Sequence, residues 1–125
     1  MPDVELVDVE GMCVAFAKTK TTAVVATKVP ASRPPVYARV FRTGGAAVNR
    51  VLDRPQITVT VGAKSGSVAA EREASKLRRA FLNDYTQMPL VRGVQEVSGL
   101  YYDPDPDSGE DRYSFTIQMS VRGKR

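Results

Sequence analysis

A chain of 125 residues is the size of one domain, 1–125, and can bury a single core without disulfides or metals. It has no histidine and one cysteine, Cys13, which excludes Ser–His and Cys–His nucleophile pairs and an internal disulfide, and argues against a zinc site. The formal net charge is only +4, no apolar run approaches the ~20 residues that span a bilayer, and the N-terminal stretch is acidic where a secretory leader would be basic.

The expectation is a protein made in the cytosol, with no membrane segment, no cofactor and no enzymatic activity. Its charge is unevenly spread. Residues 1–10 carry four acids and no base, and residues 103–111 carry five acids and no base. Residues 28–54 carry Lys28, Arg33, Arg39, Arg42, Arg50 and Arg54 against Asp53 alone. Alternating signs along one chain favour self-association or a charged partner over a uniform phosphate-binding surface.

In chain order, residues 3–18 fit a helix, with Val4, Val7, Met12 and Phe16 on an apolar side that Leu6 and Cys13 extend. Acids in its first turn suit the positive end of the helix dipole, while Gly11 weakens it. Cys13, within MCVAFA, is expected as a small buried hydrophobe. Residues 21–29 (TTAVVATKV) read as a strand closed by Pro30, and PASRPP as a turn or extended link.

Residues 36–43 (VYARVFRT) form the next strand, with Val36, Ala38 and Val40 on one face. Tyr37, Arg39 and Phe41 share the other face, which suggests a cover, such as a neighbouring subunit. Gly44-Gly45 punctuates the strand, and residues 46–55 are an irregular connection or a helical turn. Residues 56–61 (QITVTV) alternate cleanly, with Ile57, Val59 and Val61 expected inward and Thr58 and Thr60 outward.

Residues 68–85 form the clearest helix. Ala70, Ala74, Leu77, Phe81 and Tyr85 lie on one stripe, and Ser65 or Ser67 is expected to cap the N-terminus. Strands at 94–102 and 112–121 follow, joined by the turn DPDPDSGED. In the last strand Tyr113, Phe115, Ile117, Met119 and Val121 point one way. The order α-β-β-β-α-β-β predicts an α+β domain: a mostly antiparallel sheet of four or five strands with two helices packed on it.

The acidic turn superficially matches a calcium loop, with Asp103, Asp105 and Asp107 at its first, third and fifth positions. The sixth position, which needs glycine, is Ser108, and the twelfth, which needs a bidentate glutamate, is Ser114. It therefore reads as a hydrated hairpin turn built from turn-forming residues. Arg112 is expected to tie the turn to a carboxylate of this subunit or the next. The arginines Arg33, Arg39, Arg42, Arg50 and Arg54 are either a solvated edge or a docking surface for acidic segments such as this turn, because guanidinium groups match carboxylates in two-pronged geometry.

Three blocks carry a family resemblance: VPASRPPVYARVFRTGG, DRPQITVTVGAKSGSVAAEREASKLRRAF and VSGLYYDPDPDSGEDRYSFTIQMSVRG. A VP-x-x-RP lead-in to a strand ending in Gly-Gly, a DRP-led strand, a helix with A-x-x-x-A spacing and a DRY-led last strand occur in that order. Together, over residues 29–123, they resemble the tail terminator proteins of long, non-contractile-tailed phages of actinobacteria. The resemblance implies an α/β fold that assembles as a hexameric ring. Such a ring sits at the neck of the virion, caps the tail tube, ends its polymerisation and offers a joining surface to the head-completion or connector protein. DNA would pass through the channel without sequence-specific binding. The family has no catalytic residues to carry over. Arg33, Arg39, Arg42, Arg50, Arg54, Asp103, Asp105, Asp107 and Arg112 would make subunit or tube contacts. The alternatives are another neck component, such as a head–tail connector or head-completion protein, and a small nucleic-acid-binding module.

Overall fold

The computed structural model describes residues 8–29, 31–32, 34–49 and 51–123. Among them are two helices and a six-stranded, mostly antiparallel sheet. The first helix, α1, runs over Val9–Lys18 and is capped by Asp8, whose carboxylate accepts from the Gly11 amide at 3.1 Å. A Cβ at residue 11 would sit 2.6 Å from that carboxylate, so the glycine that weakens the helix also makes room for its cap. The start expected at residues 3–7 lies outside the described residues.

Strand β1 is only Val24–Ala26, shorter than the expected 21–29. The Thr21 hydroxyl turns the chain back instead, accepting from the Ala23 amide and donating to Glu73 on the second helix. Strand β2, Val36–Gly44, pairs in parallel with β1 and antiparallel with β4, Gln56–Ala63. Between them β3, Leu52–Asp53, emerges from what reads in sequence as an irregular connection. It pairs with the last strand in the same register as β4, so that Leu52–Asp53 and Gln56–Ala63 form one lane along it. Pro55 interrupts the lane because it has no amide donor, although its carbonyl still accepts from the Met119 amide at 2.9 Å. The sheet therefore has six strands and not four or five. A two-residue strand is too short to show alternation.

Helix α2 covers Ser67–Asn83, and a single 3₁₀ turn at Tyr85–Gln87 completes the segment read as one helix to Tyr85. Neither Ser65 nor Ser67 caps α2. Gly66 occupies that position at φ 115°, a backbone conformation open to glycine, and Ser67 is already helical. Strands β5, Val91–Tyr102, and β6, Arg112–Arg122, complete the sheet, with β6 between the β3/β4 lane and β5.

Both helices pack on one face. Ala70, Ala74, Leu77 and Phe81 are buried, as their spacing predicts, against Ile57, Val59 and Val61 of β4 and Phe115, Ile117 and Met119 of β6. Phe16, Phe81 and Phe115 link α1, α2 and the sheet, with ring centroids 4.9 and 6.2 Å apart. Cys13 lies in this core with its sulfur 3.6 Å from that of Met119. Burial, with Asp8 and Glu10 adding to it, pushes its thiol pKa up to about 12, so it is an inert core residue.

Candidate functional site

The sheet register places the charged segments. β2 and β6 run in one direction and β4 in the other, so Tyr37, Gly62 and Arg112 meet at one end and Arg42, Gln56 and Gln118 meet toward the opposite end. The turn between β5 and β6 caps the first end. Its Asp103 carboxylate accepts from the Ser114 hydroxyl at 2.9 Å, and its carbonyl accepts from Arg112 Nε at 2.9 Å. Arg112 thus holds a carboxylate-bearing residue of its own chain. Thr60 and Ser114 share a 2.8 Å hydrogen bond beneath, both buried.

Tyr37 joins this cover from β2. Its hydroxyl donates to Glu110 at 2.7 Å, and its ring lies against Gly62, where a Cβ would sit 2.5 Å from it. The cover expected over Tyr37 is therefore made, at this position, by the chain's own turn. The turn is also less hydrated than expected. Asp105 is only 7% exposed, and its carboxylate accepts from the Asp107 amide at 3.0 Å. Asp107 itself is exposed. Among the described residues no group of three or more acidic or thiol side chains converges as a metal site would require. Beside the turn, Tyr102 donates to Asp111, and this hydrogen bond raises the phenol pKa.

The arginines near in sequence part company in space. Arg42 follows Ala38 and Val40 by alternation and lies on the helix side of β2. Its two terminal nitrogens grip the Asp53 carboxylate at 2.9 and 3.1 Å, while Nε reaches the Gly44 carbonyl at 3.0 Å. Asp53 is 1% exposed, so Arg42 neutralises a buried carboxylate and fastens β2 to β3. Arg39 lies on the opposite face. It donates to the Thr27 carbonyl at 3.0 Å and stacks 3.8 Å from the centre of the Phe41 ring. Arg54 reaches Gln118 at 3.3 Å on that same face. Arg33 and Arg50 lie outside the described residues.

Away from the turn, this second sheet face is polar and only partly covered. Thr58 bonds Thr116 at 2.8 Å, and Thr43, Gln118 and Ser120 lie around them. Sequence reasoning did not single out two exposed bases, Arg92 and Arg122, which flank the Val91–Val121 pair at the end remote from the acidic turn. Their signal would have been the pairing of β5 with β6, which brings them to either side of one residue pair. The β5–β6 hairpin thus has an acidic end and a basic end along the strand direction, while on the β2 side of the basic end Glu10 accepts from the Arg42 amide at 3.0 Å.

No protein-family model matches the chain, and no curated protein matches it. No helix among the described residues is long and apolar enough to cross a membrane.

Proposed function

We propose that the chain is a structural virion protein of the tail terminator kind, a ring-forming cap at the head-proximal end of a phage tail tube. The observation that carries this reading is the polarity of the sheet. An acidic turn is held in shape at one end by Tyr37, Arg112 and Ser114, and Arg54, Arg92 and Arg122 stand at the other. A rigid charged knob and an opposed basic end suit docking between unlike surfaces, which is how heterologous rings close. The order of the three sequence blocks points the same way, since each contributes a piece of this arrangement: the Tyr37 strand, the Gly62 strand and the acidic hairpin. On this reading its partners are other copies in a hexameric ring, the tail tube protein, and the connector or head-completion protein, with DNA passing through the lumen.

The test is to add the purified protein to polymerising tail tube protein. Tubes that stop growing and carry a six-fold ring at one end, seen by electron microscopy, are the expected result. Unchanged tube growth with no density at the ends would overturn the reading. A ring that binds the isolated connector and leaves the tubes untouched would instead make the chain another neck component.

A further inference from the structure

The outer edge of the sheet at β5 is the longest open strand edge among the described residues. β5 is a twelve-residue strand, and beyond it no strand pairs among the described residues. Open edges attract further strands unless lysine, proline, an inward charge or a bulge blocks them. β5 is bulged at Arg92, at Val97 and at residues 99–100, so this edge is kinked, but the run 97–102 (VSGLYY) has no charge and no proline, and Val97, Tyr101 and Tyr102 are 50%, 43% and 49% exposed. Of its two charged residues, Glu96 is already held by Arg78 of α2.

We infer that this edge pairs with the same edge of a second copy, antiparallel about a two-fold axis near Glu96 and Val97, joining two sheets into one. Three features on the page select that occupant. First, β5 has a base at one end, Arg92 with Arg122 beside it, and at the other end Tyr102 bonded to Asp111 next to the acidic turn. Antiparallel pairing sets the basic end of each copy against the acidic end of the other, twice. Second, Gly93 and Tyr101 point to the same sheet face, since they pair with Ser120 and Ser114 of β6. Measured along β6 these two lie equally far from Glu96, which pairs with Ile117, so pairing centred there sets the exposed Tyr101 of one copy opposite Gly93 of the other, where a side chain would meet nothing within 4 Å. Third, the other open edge suits β5 poorly. β1 is three residues long, and a neighbour's β5 laid antiparallel to it would bring Arg92 close to Lys28, base against base.

This pairing is a property of the free protein; it engages the same acidic and basic ends as the proposed ring contacts, so the dimer and the ring exclude one another, and the dimer is tested without any tube protein. The test is sedimentation equilibrium of the full chain at low salt, across micromolar to millimolar concentrations. The parent is expected to fit a monomer–dimer equilibrium that weakens with salt. Arg92→Glu replaces two attractive contacts with two repulsive ones and should raise the dissociation constant ~30-fold. Val97→Lys, which places a like charge on both sides of the axis, should leave monomer. Mixing Arg92→Glu with Asp111→Lys should restore a heterodimer tighter than either variant forms alone. Melting curves like the parent's would show that the variants are folded. A parent that is monomeric at every concentration would overturn the pairing, as would an association that Arg92→Glu and Val97→Lys both leave intact.

Discussion

The two faces of the sheet are closed by different physics. On the helix side, Phe16, Phe81 and Phe115 pack with aliphatic side chains of β2, β4 and β6, and almost nothing there needs a hydrogen bond. On the other side the closed part is polar: Tyr37 to Glu110, Ser114 to Asp103, Thr60 to Ser114. Apolar burial supplies most of the driving force but is tolerant of detail, whereas the hydrogen bonds contribute less and fix where the acidic turn sits. The helix side should therefore govern whether the chain folds, and the polar side how the turn is presented.

The largest break in that contrast is Phe81→Ala, which empties the centre of the aromatic column and should cost about 3–5 kcal/mol in denaturant unfolding. Asp53→Ala comes next. It removes the acceptor that Arg42 grips from the edge of the core, and about 2 kcal/mol is expected, since Arg42 is one-third exposed and water compensates part of the loss. Ser114→Ala should cost about 1 kcal/mol, with a larger local effect: amide exchange through residues 103–111 should accelerate while the helices stay protected. A uniform rise in exchange across the whole chain would erase the distinction between the faces.

The smallest effect belongs to the surface. Arg78→Ala, at the α2–β5 ion pair, should cost no more than about 0.5 kcal/mol. Hydrogen bonding from Arg78 holds the Glu96 carboxyl below its ordinary pKa. Burial pulls Glu73 upward, but hydrogen bonds from Lys76 and Thr21 outweigh it and leave that carboxyl low as well. Both contributions are then present above about pH 4.3 and lost as pH falls through the lower folded values. An acid titration of stability should show the Glu96 part vanish in Arg78→Ala and the Glu73 part remain.

What could be read in advance was whatever one element decides alone. The stripe on α2 and the alternation of β4 and β6 are local periodicities and set which face each side chain takes, but Thr58 and Thr60, expected outward on β4, are buried on the polar side at 7% and 4% exposure. The β3 lane, the parallel β1 pair and the bulges of β5 depend on partners far away in sequence. The site divides along the same line. Arg42 could have been assigned to the core side, because it continues the Ala38–Val40 phase. Its grip on Asp53 could not, since that carboxylate belongs to a strand too short to detect. Arg92 and Arg122 become neighbours only through the β5–β6 register.

β6 is the last strand in chain order and also the one flanked by the β3/β4 lane on one side and β5 on the other. Until Arg112–Arg122 has been synthesised, β4 and β5 have no common partner, and the apolar faces of both helices have only part of a sheet to cover. A nascent chain therefore cannot complete its core step by step as it emerges, and the decisive pairings close long loops. Folding limited by such distant contacts is slow for a domain of this size, in the millisecond-to-second range. The half-made sheet is the species a chaperone would meet.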